Sequence, residues 1–417
     1  MGPRALRPGA PLHAEPKETL PLNSYRALLS SASVRRQAAT GLLGQLTQGA
    51  AAIGIILVVR ASSGSLALAG GVSAALWVTG ALARPLQGRL IDGSRPRALL
   101  AGCAVTHALA LAAIVELSDA GAPGIALLAA GALAGASLPP ISTSMRVEWS
   151  RVCGPDELPA AYSLVYLTQQ LAVLTGPLVL AAVTAASSAS LALLTIAVMS
   201  GAGALGYAAS LPPPQPHVRG HTGRTPGLIV LRFHELRVIL VVALLVGAVI
   251  GALEVAAPTI ASQHHAPAAA GLLIGSLSVG GILGAALYAR RRGRAQAAAR
   301  PLVLLSLIAI AVASMIAADG LVVAGAMFLL VGVALNPLLT TFSLLVDGHV
   351  PAHAAGEAFG WLSTGFAGGG GLASLLAAVA AQHQNSPQGA LIVAAGAAVA
   401  GTAVAALARR TLRVTAP

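Results

Sequence analysis

The stretch Gly88-Arg-Leu-Ile-Asp-Gly-Ser-Arg-Pro-Arg97 is a polar, basic turn between two long apolar runs. Upstream, Leu66–Leu86 carries one charge near its end, Arg84, and downstream Ala98–Ile114 carries none. A helix needs about 20 apolar residues to cross a bilayer, so both runs read as spanning helices and the turn as their connection. Arg84, Arg89, Arg95 and Arg97 crowd into it. Short arginine-rich loops stay cytoplasmic because translocating them is costly, so the turn orients the chain.

Composition agrees with a membrane protein. Of 417 residues, 56% are hydrophobic and 9% charged, and the mean hydropathy is +0.81; water-soluble chains carry about 25% charged residues. The net charge of +12 comes with only 3% aromatics, and the arginines sit in short loops between apolar runs. That pattern reports topology and argues against nucleic acid as a partner. The two cysteines, Cys103 in an apolar run and Cys153 in a polar loop, give no disulfide framework.

Outward from the turn, twelve apolar runs can be marked: Ala38–Val59, Leu66–Leu86, Ala98–Leu117, Ile125–Met145, Ala160–Thr184, Ala189–Leu211, Val238–Ile260, Ala268–Ala289, Leu302–Ala318, Leu321–Val346, Ala358–Ala380 and Gly389–Leu407. Alternating sides place 24 of the 25 Lys and Arg inside, Arg146 and Arg151 after the fourth run among them, and leave only Arg60 outside. Twelve spans with both termini cytoplasmic therefore satisfy the positive-inside rule. Residues 1–37, basic and lacking the apolar core of a signal peptide, read as a cytoplasmic tail. Residues 212–237, with Pro212-Pro-Pro214, read as a linker between six-helix bundles at 38–211 and 238–408, and 409–417 as a second tail.

The halves look like duplicates. Gly135-Ala-Ser-Leu-Pro-Pro-Ile-Ser-Thr-Ser144 recurs as Gly332-Val-Ala-Leu-Asn-Pro-Leu-Leu-Thr-Thr341, an offset of 197 residues that also lays Ala161-Tyr162 on Ala358-Phe359. Shifted by one, it sets Gly88 opposite Gly284 and Arg95 opposite Arg291. Gly88 and Asp92 with the following arginines resemble the loop signature of the major facilitator superfamily, except that Gly93 and Arg95 exchange the places usual for Arg and Gly. The resemblance covers about Ala38 to Leu407. It implies an all-α integral membrane fold of twelve transmembrane helices in two six-helix halves, a substrate site near the bilayer midplane between them, and transport by rocking one half against the other. It also implies a gating role for Arg84, Gly88, Asp92, Arg95 and Arg97, with Asp92 stabilised by the helix N-terminus that follows it and the arginines paired with acids such as Glu148.

An ionisable group at the bilayer centre costs at least about 2.5–3.5 kcal/mol, so one found there marks function. Glu254 qualifies, sixteen residues into the seventh run; Glu116, Glu148, Asp347 and Glu357 fall at helix ends. A satisfied structural carboxylate is the bland alternative. The stronger reading is a proton-coupling site. Gln45 and Gln48 share a face of the first span, and Tyr162, Tyr166, Gln169 and Gln170 a face of the fifth. With Asn336 and Thr340 of the tenth, the set Gln45, Gln48, Tyr166, Gln169, Gln170, Asn336 and Thr340 would line a polar substrate cavity, although each could instead bond a neighbouring helix. Gly131–Gly135, Gly247–Gly251 and Gly280–Gly284 read as tight helix packing.

Gly176-Pro177 resembles the core of a motif of proton-coupled antiporters, though Leu178-Val179-Leu180 replace its glycines; the fourth run lacks the central arginine such antiporters often carry, Arg146 lying at its end. The sequence thus reads as a secondary transporter at the cell membrane, a monomer and not an enzyme. It would export small amphipathic compounds in exchange for protons, with no cofactor or metal. Import of a small neutral nutrient is the alternative and a receptor role the third. Import of organic anions is set aside here because it should require a central Arg or Lys.

Overall fold

A computed structural model describes residues 21–93, 95–154, 157–212, 232–266, 269–288, 300–317, 319–384 and 386–409. The first twenty residues of the tail, linker residues 213–231, most of the Arg290–Arg300 loop with the repeat partner Arg291, and the C-terminal tail from 410 lie outside the described residues. Among the described residues there is no strand. A chain in lipid must satisfy its backbone groups within each segment, and the helix does so.

The helices in order are α1 (Pro21–Ser30), α2 (Ala32–Gly44), α3 (Thr47–Ser63), α4 (Leu66–Ile91), α5 (Pro96–Asp119), α6 (Gly124–Ala136), α7 (Ile141–Val152), α8 (Leu158–Ala186), α9 (Ala189–Ser210), α10 (His234–Gln263), α11 (Ala269–Tyr288), α12 (Arg300–Ala317), α13 (Leu321–His349), α14 (Ala355–Gln384) and α15 (Gln388–Leu407). Among the described residues, ten segments are long and apolar enough to cross a membrane, and Pro301–Ala317 is a shorter apolar helix. The first run is divided into α2 and α3, which count together as one span, Ala32–Ser63.

Three sequence boundaries need correction. The residues assigned to the tail include α1 and the start of the first span, at Ala32. The linker ends before α10, which starts at His234. The fourth span is two helices whose second, α7, carries it on to Val152, well beyond Met145. Its break has a plain cause. Pro139 and Pro140 lack amide hydrogens, and both Leu138 and Pro139 precede a proline, which disfavours the helical backbone.

The three glycine pairs pack as expected. Added Cβ atoms would overlap backbone at Val72 and Leu76 for Gly131 and Gly135, at Phe366 and Gly370 for Gly247 and Gly251, and at Leu329 and Val333 for Gly280 and Gly284. Where lipid gives no hydrophobic drive for association, such close approach supplies dispersion contact instead. The C-terminal half forms one apolar core, to which Ile91, Val147, Leu158 and Tyr162 of the N-terminal half are joined. The repeat-related pair Tyr162 and Phe359 meet edge-on, ring centroids 6.0 Å apart. Residues 197 apart that touch each other must lie close to the twofold axis relating the halves.

Candidate functional site

The two halves bond to each other at one end of the bundle, where α4 finishes and α14 starts. Gly88 and Gly356 make this approach possible, since a Cβ on Gly88 would overlap the Gly356 carbonyl. Asp92, in the turn beyond α4, accepts hydrogen bonds through Oδ1 from the Gly356 amide at 2.8 Å and through Oδ2 from the Glu357 amide at 3.0 Å. The helix N-terminus that holds Asp92 is therefore that of α14 in the opposite half, not that of α5, which follows it in sequence. Exposed amides and the helix dipole make that end a natural carboxylate seat. Burial pushes the Asp92 carboxyl up to about 7, outweighing the two amides and Arg151, which pull it down.

Arg89 pairs with Glu357 of α14 at 3.7 Å, so the loop's ion pair also crosses between halves and does not involve Glu148. Arg97 donates to the Leu211 carbonyl and ties the turn to the end of α9. Arg95 is the residue preceding α5. Further in, Thr364 donates to the Ala81 carbonyl at 2.7 Å, and Gly360 lies against the Arg84 backbone.

Just inside this seal lies a residue that the sequence placed wrongly. Arg146, counted among the loop arginines, is 3% exposed in the middle of α7. Its guanidinium lies over the rings of Tyr166 at 4.6 Å and Phe359 at 5.7 Å, and its Nη2 reaches Gln169 Oε1 at 3.4 Å. The N-terminal half does therefore carry an internal arginine, contrary to the expectation that none is present. The repeat contained the missing signal. The tenth run extends to Val346, and an offset of 197 maps that end onto Trp149, beyond Arg146.

Of the polar residues singled out, the structure joins those of α8 and α13. Tyr166 Oη and Ser343 Oγ are 3.1 Å apart, Ser163 donates to Asn336 Oδ1 at 3.3 Å, and Thr340 to the same oxygen at 3.4 Å. Gln170 points toward α11, its amide beside Gly281. Gln45 and Gln48 bond each other at 3.4 Å, but Gln45 is buried at the α2–α3 break and donates to its own Gly41 carbonyl at 2.9 Å. Among the described residues, no hydrogen bond connects them to the α8–α13 set. Ser163, Ser343 and Tyr25 were not anticipated. Tyr25 of α1 has its hydroxyl 2.8 Å from Ser163 Oγ and 2.9 Å from the Ala285 carbonyl, bracing both halves at the same end.

Glu254 lies toward the other end, in the C-terminal third of α10. It is exposed, as are Pro258 and Ser262 at successive four-residue steps, while Leu253, Ala256 and Ala257 are fully buried. Among the described residues it has no hydrogen-bond or ion-pair partner.

The sequence profile described as the Major Facilitator Superfamily matches residues 38–374. No curated protein matches the chain significantly in sequence. Among solved structures, the human organic anion transporter MFSD10 (TETRAN) is similar at 17% identity and a TM-score of 0.71, with 90% of this chain and 100% of that one covered. A Major Facilitator Superfamily transporter, FucP, in the outward conformation is similar at 12% identity and a TM-score of 0.70, covering 89% and 97%. A bacterial homologue of the iron transporter ferroportin in the outward-facing state is similar at 16% identity and a TM-score of 0.67, covering 89% and 98%. At such identities the likeness is one of fold.

Proposed function

The chain belongs to the Major Facilitator Superfamily and is a multi-pass membrane transporter, not an enzyme; from that premise we propose that it exports small amphipathic compounds in exchange for protons. The observation that carries this reading is the one-sided closure. Bonds between the halves gather at the Asp92 end, while an exposed, unpartnered carboxylate stands on α10 toward the other. Twelve spans in two bundles, 38–211 and 238–408, put Asp92 and both tails in the cytoplasm of a monomer in the cell membrane. The path is then shut inside and open outside.

Glu254 is the proton-coupling residue in this scheme. Facing lipid without a partner, a carboxylate at that depth would cost several kcal/mol, so the stripe Glu254–Pro258–Ser262 faces the water-filled path. Gln48, Tyr166, Gln169, Gln170, Asn336 and Thr340, with Gln45 behind them, form the polar floor that substrate meets. Arg84, Gly88, Asp92, Arg95 and Arg97 belong to the inner gate, which parts when α14 leaves α4.

Inside-out vesicles containing the protein provide the test. Candidate amphipathic compounds should accumulate when a proton gradient is imposed, and Glu254→Gln should leave equilibration intact but abolish accumulation. Full proton-driven accumulation by that variant would exclude Glu254 as the coupling site. Accumulation only in right-side-out vesicles would mean import.

A further inference from the structure

We infer that Arg84 and Arg146 form a site for the anionic group of the transported compound, a carboxylate or sulfonate carried on an apolar body of aromatic size. The inference rests on the transport reading above and names the substrate class. Arg146 is almost wholly buried, and its Nε and Nη1 have no hydrogen-bond partner. The one side-chain oxygen near it, Gln169 Oε1, is at a long 3.4 Å. Arg84, half-buried on α4, has its backbone against Gly360 of α14, the residue next to Phe359, and so brings a second positive charge to this end. Glu357 is engaged by Arg89, and Asp347 lies beside Tyr162.

Buried charges in proteins are paired, because an isolated ion removed from water loses far more solvation than packing returns. With Nε and Nη1 of Arg146 left without an acceptor, an oxyanion from outside the described protein can supply one. The planar guanidinium, which can present two donors to two oxygens at once, suits a carboxylate or sulfonate. Tyr166 and Phe359, stacked on Arg146, supply flat apolar walls that fit the body of the same molecule. The repeat also isolates this charge, for the position equivalent to Arg146 in the other half is Ser343.

The site is built into the seal. Phe359 stands on α14 one turn beyond Asp92's amide partners, so parting α14 from α4 removes the lid from Arg146 and presents both guanidiniums to the Asp92 end. An anion is captured as that end opens, and its charge offsets the two arginines as it closes again.

The test compares three probes of nearly one shape on the full-length protein in lipid nanodiscs: benzenesulfonate, benzenesulfonamide and benzyltrimethylammonium. Wild type should bind the sulfonate at least about tenfold more tightly than the sulfonamide, the scale of one charge-assisted contact. Arg146→Gln and Arg84→Gln should each remove that preference by weakening sulfonate binding more than sulfonamide binding, with Arg146→Lys keeping part of it. Equal binding of the two probes by wild type, or a preference that survives both glutamine variants, overturns the inference. Should Arg146→Gln not fold, the wild-type comparison and Arg84→Gln still decide it. Uptake of the same probes into proteoliposomes separates the two readings. Movement of only the uncharged or cationic probe sinks the anion site and keeps transport, whereas arginine-dependent sulfonate binding without movement of any probe keeps the site and sinks the transport reading.

Discussion

The fourth and tenth spans carry the same ten-residue pattern and fold differently. Where the first has Pro139-Pro140 the chain leaves the helix between α6 and α7, but where the second has Asn336-Pro337 the helix α13 runs unbroken from Leu321 to His349. A single proline removes one amide and strains one neighbour, which packing can absorb; a second adjacent proline forces another residue out of the helical region. Arg146 of α7 lies over Tyr166, the same ring whose hydroxyl meets Ser343 from the equivalent position of α13. Duplicated halves thus become chemically unlike at one pair of positions, a guanidinium facing a hydroxyl across one tyrosine.

The largest effect should come from making the spans alike. Asn336→Pro gives α13 its own tandem prolines and should cost about 3 kcal/mol or more, with loss of transport, as read by unfolding in mixed micelles. An unchanged unfolding midpoint would mean that the break at 137–140 has another cause. The next effect concerns what the spans share. Gly135→Ala on Leu76 and Gly332→Ala on Leu277 would each drive a Cβ into a backbone carbonyl and should cost about 1–3 kcal/mol apiece, equal to within the error of the same assay. A large inequality would show that only one of the two contacts is tight in solution.

Smaller effects test the differences. Ser343→Ala removes one partner of the buried Tyr166 hydroxyl and should cost about 1 kcal/mol, whereas Ser363→Ala, at the repeat position of Tyr166, should cost less because its hydroxyl bonds only its own Phe359 carbonyl. The smallest and most graded effect is that of pH on the Asp92 latch, which has no acidic counterpart at the repeat position, Tyr288. The closed end raises the Asp92 carboxyl from its ordinary 3.8 to about 7, so it holds the proton more tightly than the open end does. Closure is therefore most favoured below 3.8 and loses ground as pH rises through about 7. Spin-label distances across that end should lengthen over this window in wild type and stay flat in Asp92→Asn. A lengthening on acidification would reverse the assignment of cause.

The membrane class, the spans and the two-half plan followed from composition, run length and the recurrence of Gly135–Ser144 at Gly332–Thr341, because each of these depends on near neighbours in sequence or on the bilayer's fixed thickness. Glu254 stood out for the same local reason, a carboxylate within an apolar run. The loop signature marked Asp92, but its partners could not be read from the chain. They are amides 264 and 265 residues away, brought near by the packing of α4 on α14. Arg146 was misjudged because its side of the seal depends on how far α7 continues beyond two prolines and on which rings of α8 and α14 then cover it. Sequence alone determined which segments enter the membrane, since transfer from water is settled residue by residue. Only the tertiary structure decided which charges are paired, which are left bare and which end is shut, because those outcomes depend on distances between helices that no local pattern specifies.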